Sequence, residues 1–468
     1  QAQYAPPRVS LATPIGTAAD QMTRQDSSAL FVTAESGEVI GLVTDRDFRE
    51  RVAARRLDPA RPVLEIMSAP LVTIPDTALV YEAILLMQVQ GKRHLAVRDA
   101  SGRVSGLVTN IALLHFDRYS SIVMTREIAR AAAVDDLAAI YERLPRLVGA
   151  LIDSGAKPRN VTRVITAAQD AVVRRLIALA ETALGPPPGP STFVALGSEG
   201  REEKTLVSDQ DNAIVYADPD PEQAARTAAY FLALGASVCD GLAKIGIPYC
   251  KGGIMAKTEE WCQPLSRWKE HFSRWIETAK PQDFLEINMF FDFRAVHGDP
   301  GLLFELRQHI NRRLRATPPF FVNYAQNALL YKPPLGYFGA LVSEAIGAQP
   351  RAFDLKDALR PIVGFARLYA LQHGLTATNT LDRLQQLLER EAVRRSVCEE
   401  AVAAYHLLME LRLARQAAAL RGSEPPGNDV DLRALTAIQA SMLKQALLQV
   451  ASIQRQIQQD FVGTAPTL

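Results

Sequence analysis

Cysteine, net charge and long apolar runs are all scarce in this chain, and each shortage removes a class of function. Only four cysteines occur in 468 residues: Cys239, Cys250, Cys262 and Cys398. None has the short paired spacing of a zinc site, and so few build no disulfide framework, so a reducing, cytoplasmic setting is expected. Lysine plus arginine number 52 against 51 for aspartate plus glutamate, a net charge of +1. A nucleic-acid-binding domain is strongly basic, so no nucleic-acid partner is expected. Arg, Asp or Glu interrupts every apolar stretch, which argues against a membrane helix or a signal peptide. No Gly-Lys-Ser/Thr string forms a Walker loop. The chain starts at Gln1 without a methionine, so an upstream part is expected to be missing. What remains is ordinary globular material, 48% hydrophobic and 22% charged, with length for about three domains.

The most informative stretch is Phe193 to Tyr216, FVALGSEGREEKTLVSDQDNAIVY. Phe193 to Leu196 reads as a short buried strand that stops at Gly197-Ser198, where the missing Cβ lets backbone amides approach an anion. Asp209 and Asp211 read as alternate positions on a second strand running on through Ile214 and Val215, which puts both carboxylates on one face. Two acids held that close repel unless a cation lies between them, and an all-oxygen pair suits Mg²⁺ with phosphate completing the shell.

A Gly-Ser turn followed ten residues later by Asp-x-Asp resembles the nucleotidyltransferase superfamily that includes DNA polymerase beta. The longer string GSEGREEKTLVSDQD is similar to the subgroup of PII uridylyltransferase and glutamine-synthetase adenylyltransferase. Gly197, Ser198, Gly200, Arg201, Glu203, Ser208, Asp209 and Asp211 all match that subgroup's pattern. The resemblance implies an NTP substrate and Mg²⁺ (or Mn²⁺) ions ~4 Å apart on Asp209 and Asp211. It implies Gly197, Ser198, Gly200 and the turn amides on the phosphates. Arg201 is a candidate for neutralising pyrophosphate, with an internal pair to Glu203 or another carboxylate equally open.

Residues 8–118 hold an internal repeat at an offset of 65: Ser36-Gly37, Val39 and Gly41 to Thr44 recur as Ser101-Gly102, Val104 and Gly106 to Thr109. Each copy reads as helix, strand, Ser-Gly turn, strand, helix. The pair resembles tandem cystathionine-beta-synthase (CBS) repeats, which implies an adenine-nucleotide sensor and a homodimer formed through the repeats. In that family Thr bonds phosphate and Asp bonds ribose. Thr44 and Asp47 are both present in the first copy; Thr109 is kept in the second, where Ala112 replaces the aspartate and cannot accept from ribose. A pure scaffold stays open, as does the choice among AMP, ADP and ATP.

Two helices of apolar period, from Val134 and from an N-cap at Asn160 to a stop at Gly185, read as a bridge over 119–190. The core spans 191–300. In it Lys251 is a candidate nucleotide contact, and Phe284 to Val296 reads as a strand with Glu286, Asn288, Phe290, Asp292 and Arg294 on one face. The resemblance asks for a third acid: Asp292 is the choice, Glu286 the fallback. Trp261, Trp268 and Trp275, seven apart, read as a packing stripe. Residues 301–468 read as a helical bundle, in which Lys356 and Arg367 are either nucleotide contacts or exposed helix-face residues. None of the seven histidines precedes Asp, so the subgroup's His-Asp hydrolase is not expected.

The expectation is an α+β multidomain protein: CBS pair, polymerase-beta-like core with helical bridge, C-terminal bundle. Over nearly the whole chain it resembles bacterial CBS-containing nucleotidyltransferases. It would transfer AMP or UMP from an NTP to a hydroxyl, on an unidentified protein acceptor, under adenine-nucleotide control. A non-catalytic nucleotide-sensing docking protein, or a transferase acting on a small molecule, are the alternatives.

Overall fold

The computed structural model describes residues 6–76, 78, 80–110, 121–331, 353–422, 426–430 and 435–463. It is α+β and divides into two units, Gln1–Val123 and Met124–Leu468.

The first unit is built twice. Strands β1 (Arg8–Ser10), β2 (Ala29–Thr33) and β3 (Val39–Thr44) form one three-stranded sheet; β4 (Thr73–Pro75), β5 (His94–Arg98) and β6 (Val104–Thr109) form another. Each outer strand runs parallel to the middle one, which is antiparallel to the third. The helices Ile15–Arg24 and Val80–Val89 occupy equivalent places. Every corresponding boundary is displaced by 65, the offset of the sequence repeat. Each copy also has a strand that the sequence reading omits, β1 or β4, too short to show alternation. Ala29, Phe31, Val39 and Leu42 of the first sheet share a core with Ala96 and Leu107 of the second, which makes the repeats one body. Ala112 lies outside the described residues.

In the second unit four strands order as β10-β7-β8-β9, with β7 at Ser191–Ala195, β8 at Asn212–Tyr216, β9 at Cys262–Pro264 and β10 at Arg294–Gly298. β7 is antiparallel to both β10 and β8, and β8 is parallel to β9. β8 is buried along its whole length, which explains its continuous apolar run. The helices expected as a bridge are part of this unit. Val134–Tyr141, Leu144–Asp153 and Pro158–Leu184 place Leu137, Leu144, Val161, Ile165, Val172 and Leu176 in the same core as the sheet. The last of them starts at Pro158, not at an Asn160 cap, because proline in the first turn needs no amide partner. It stops at Gly185, which has φ 84°. A strand does not run from Phe284. Phe284–Ile287 is a helical turn, Asn288–Phe291 a tighter one, and the strand begins only at Arg294.

Helices Leu355–Gln372, Thr380–Glu389, Arg395–Arg421 and Ala437–Ile457 form the C-terminal bundle. Trp268 and Trp275 on the helix Leu265–Thr278 stack around Phe290 with Trp261 from the preceding turn, at ring separations of 4.5 to 6.2 Å. The tryptophans are core packing, as the spacing suggests.

Candidate active site

The Gly-Ser motif is a single helical turn, Gly197–Gly200, entered directly from β7. Gly197 has φ +54°, which a β-carbon disfavours, and a Cβ there would stand 3.6 Å from Asp211 Oδ2. Gly200 is required for a different reason. A Cβ on it would fall 1.8 Å from the carbonyl oxygen of Asp292 and 2.9 Å from that of Ala195, so it serves backbone packing and not a ligand.

Asp209 and Asp211 lie in the loop just before β8. Gln210 between them is fully buried and donates its side-chain amide to Cys239 O (3.1 Å) and Ile247 O (2.9 Å). That inward anchor turns both carboxylates the other way, so alternation holds although the strand starts later. Ligand atoms of Asp209, Asp211 and Cys250 all come within 4.8 Å of one another. Burial first, and then the charge of Asp209, pushes the Asp211 carboxyl up to about 6. Cys250, missed from the sequence because it stands alone 39 residues on, bonds Asp211, and burial raises its thiol too. A neutral thiol beside two carboxylates leaves oxygen ligands for a hard cation, so the residues present fit Mg²⁺ or Mn²⁺.

Behind the pair lies a buried support that the sequence reading also missed. Lys204 donates to Glu199 Oε2 (3.1 Å) and to Asp209 O (2.9 Å), and Gln169 donates to the same Glu199 oxygen at 2.8 Å. Burial raises the Glu199 pKa against the pull of Lys204. The Asp209 backbone is thus tied to the motif turn through a desolvated ion pair. Lys251 sits exposed on a turn beside Cys250, with no cleft contact among the described residues.

The third acid requires a correction. Asp292 is fully buried and outside the acid pair, because the segment leading to it is helical and strict alternation fails. Its two oxygens accept from Arg201 Nη1 (2.6 Å), Arg367 Nε (2.9 Å) and Nη2, and Arg383 Nη1 (2.7 Å). Burial alone would raise its pKa; Arg367, Arg383 and Arg201 outweigh that and hold it far below the usual carboxylate range. Such a group neither takes a proton nor has lone pairs to spare for a metal. Glu286 is on a helical turn and its side chain lies outside the described residues. Arg201 takes the internal alternative: it pairs with Glu203 (2.7 Å) as well as Asp292. Arg367, read as either a nucleotide contact or an exposed helix-face residue, is 5% exposed, lines the cleft and also donates to Tyr324 (2.8 Å).

Around these groups is a cleft of about 670 Å³. Gly197, Ser198, Arg201, Glu203 and Asp211 line it from the core; Lys356, Arg360, Arg367, Tyr405 and Arg412 line it from the C-terminal helices. In the first unit a second cavity, about 500 Å³, is lined by Thr44 and Asp47 from one repeat and Thr109 from the other, with Arg46, Arg49, Lys92 and Arg93. Asp47 there accepts from Thr44 N (2.9 Å) and Thr44 Oγ1 (2.8 Å) and lies 3.3 Å from Arg51.

Three family models match this chain. "Putative nucleotidyltransferase DUF294" covers residues 142–282, its "substrate binding domain" covers 318–461, and CBS domains cover 4–54 and 63–118. The chain belongs to this CBS-linked DUF294 family. The matched segments include the helices Leu144–Asp153 and Pro158–Leu184 before β7 and the bundle whose residues line the cleft. Curated relatives include an uncharacterized protein of Methanopyrus kandleri, 28% identical over 24% of this chain and 57% of its own length. A CBS-domain-containing protein of Dictyostelium discoideum is 33% identical over 23% of this chain and 80% of its own. The chain thus spans little more than half of the first curated relatives it matches. Among solved structures, a CBS domain protein from Pyrobaculum aerophilum complexed with AMP is 23% identical over 25% of this chain and 93% of its own, with a TM-score of 0.22.

Two expectations follow. Replacing Asp292 with Asn leaves three buried guanidiniums short of charge, so stability falls by about 3–5 kcal/mol; urea unfolding of the full chain measures it, and an unchanged midpoint refutes an anchoring role. Below pH 6 a cation at the acid pair must displace the Asp211 proton, so Mn²⁺ affinity falls by about tenfold per pH unit. Titration of Mn²⁺ by electron spin resonance between pH 5 and 8 reads this, and a flat profile across that range refutes it.

Proposed function

We propose that the cleft is the active site of a divalent-metal-dependent nucleotidyltransferase, moving an NMP, AMP or UMP, from an NTP to a hydroxyl, plausibly on a protein acceptor. The observation that carries the reading is the convergence of Asp209 and Asp211 beside the Gly197-Ser198 turn at the edge of a substrate-sized cleft. Asp209 and Asp211 would hold the metal, which when bound supplies Lewis-acid stabilisation of the phosphates and a lowered pKa for the attacking hydroxyl. Ser198 and the turn backbone orient the phosphate tail. The hydroxyl oxygen attacks the α-phosphorus, the bond to the bridging oxygen breaks, and pyrophosphate leaves in line. With Asp292 committed to arginines and Asp209 and Asp211 given to the metal, the proton of the attacking hydroxyl passes to solvent in the cleft. Arg201 keeps Glu203 and Asp292 in place and acts on the phosphates only as a positioning residue.

The cavity between Thr44, Asp47 and Thr109 supports an adenine-nucleotide site in the CBS pair, with Arg46, Lys92 and Arg93 available to phosphates. Ligand there regulates only if it binds one arrangement of the protein better than another. A homodimer through the CBS pair belongs to the same reading.

Labelled ATP, UTP, GTP and CTP, each incubated with the full chain, Mg²⁺ and a cell lysate, test the reaction. Pyrophosphate release and label transfer are expected, and Asp211→Asn should lower both by at least ~100-fold, the scale of losing one electrostatic catalytic group. Near-normal release by Asp211→Asn removes the metal assignment; no release from any NTP leaves a nucleotide-sensing docking protein. For the sensor, a charge-assisted hydrogen bond of about 1.5–3 kcal/mol makes Asp47→Ala weaken adenine-nucleotide binding by roughly ten- to a hundredfold. Calorimetry of the full chain with AMP, ADP and ATP measures it, and binding that Asp47→Ala leaves intact places the ligand elsewhere.

A further inference from the structure

The arginines around the cleft do not all have the same status. Arg201, Arg367 and Arg383 each pair with Asp292, and Arg201 also with Glu203. Arg412, on the helix Arg395–Arg421, is 6% exposed and lines the cleft, yet it has no carboxylate within ion-pair distance among the described residues. Its Nε donates to the neutral amide oxygen of Asn428 at 2.7 Å. Asp354 and Glu203 are near enough to be felt, but Asp354 Oδ1 accepts from the Lys356 and Asp357 amides, and the Glu203 oxygens accept from Arg201, the Thr380 amide (2.7 Å) and the Tyr405 hydroxyl. Burial accordingly pulls the Arg412 pKa down to about 10, with Arg201 adding to the repulsion. A guanidinium buried with no carboxylate paired to it directly costs several kcal/mol, and its planar fork is shaped for a bidentate oxyanion.

Two more cations stand on the same wall. Lys356 and Arg360, four apart on the helix Leu355–Gln372, share one face at the cleft and are exposed. Lys356 has no salt bridge among the described residues. Arg360 has only an exposed pair with Asp357, three residues earlier, of the kind worth little. The part of the cleft lining that comes from the C-terminal helices therefore carries more cations than acids.

We propose that Arg412, flanked by Lys356 and Arg360, forms an oxyanion subsite in the C-terminal wall of the cleft, taking a phosphate or carboxylate group of one of the two reactants. Which reactant rests on the transferase reading above; the binding itself does not. The two sources of such a group are the triphosphate tail of the NTP and an anionic group on the acceptor.

Calorimetric titration of the full chain with inorganic pyrophosphate, without divalent metal, reads the subsite apart from the acid pair. Wild-type protein is expected to bind it, and Arg412→Gln to weaken it by tenfold or more, the scale of lost charge-assisted bonds, with partial recovery in Arg412→Lys. The double variant Lys356→Gln, Arg360→Gln changes only exposed side chains and is expected to lose about threefold or more, on the same scale; it decides alone should Arg412→Gln not fold. No binding by wild type, or unchanged affinity in these variants, overturns the subsite. A repeat with Mg²⁺ and a non-hydrolysable ATP analogue at saturation separates the sources. Displacement of pyrophosphate supports the triphosphate tail, and pyrophosphate binding beside the analogue supports the acceptor. Because the readout is affinity and not turnover, an inactive enzyme with a working subsite is recognisable as such.

Discussion

One carboxylate, that of Asp292, holds the Gly197–Gly200 turn and the C-terminal bundle in a single arrangement. Arg201 reaches it from the end of the motif turn, Arg367 from the helix Leu355–Gln372 and Arg383 from the helix Thr380–Glu389. None of these charges is tolerable alone at that depth. Removing a carboxylate from water costs several kcal/mol, and so does each guanidinium, so the cluster is stable only while every member is present. Mutual dependence of that kind makes the geometry all-or-none, which is what a site needs if its walls come from segments 75 and 91 residues apart.

Hydrogen bonds carry the same connection outward. Thr378 Oγ1 donates to Gly200 O at 2.8 Å, Asn379 Nδ2 to Arg201 O at 2.9 Å, and the Thr380 amide to Glu203 at 2.7 Å. The loop that caps one C-terminal helix thereby satisfies the backbone that leaves the motif turn, where Glu202 is held at φ 58°. The strained turn and the helix cap stabilise one another, and the family's division into a core and a substrate-binding domain is crossed by these bonds.

Legibility in the sequence follows from which contacts are local. The repeat was readable because Val39 to Thr44 and Val104 to Thr109 keep the same order of small and apolar residues, and identical strands follow from identical local pattern. Asp209 and Asp211 were readable because a single residue, Gln210, separates them and is turned inward by its own hydrogen bonds. Phe284 to Phe293 was misread for the opposite reason. Phe290, Phe291 and Phe293 are all buried, consecutive positions included, so the apolar pattern there does not separate helix from strand. The acid in its midst looked catalytic because its three arginine partners are distant in the chain, and pairing at such separations leaves no spacing to read. Arg412 escaped notice likewise: on sequence it is one arginine in a charged helix, and only depth without a carboxylate partner distinguishes it.

The acids of the site divide by the charges around them and not by identity. Asp292 and Asp211 are both largely withdrawn from water, yet their pKa values move in opposite directions, because three guanidiniums face the first while a second carboxylate faces the other. A carboxylate saturated with arginine is chemically silent and serves as scaffold. A pair of carboxylates left to repel is unsatisfied until a cation arrives, and the fold keeps it that way by spending Lys204, the nearest buried ammonium, on Glu199 and on the Asp209 carbonyl. Had Lys204 reached the Asp209 side chain, the protein itself would neutralise the pair and a divalent ion would have to compete with it. Holding the ammonium on the Asp209 carbonyl stabilises the loop while leaving the Asp209 carboxylate unpaired with it.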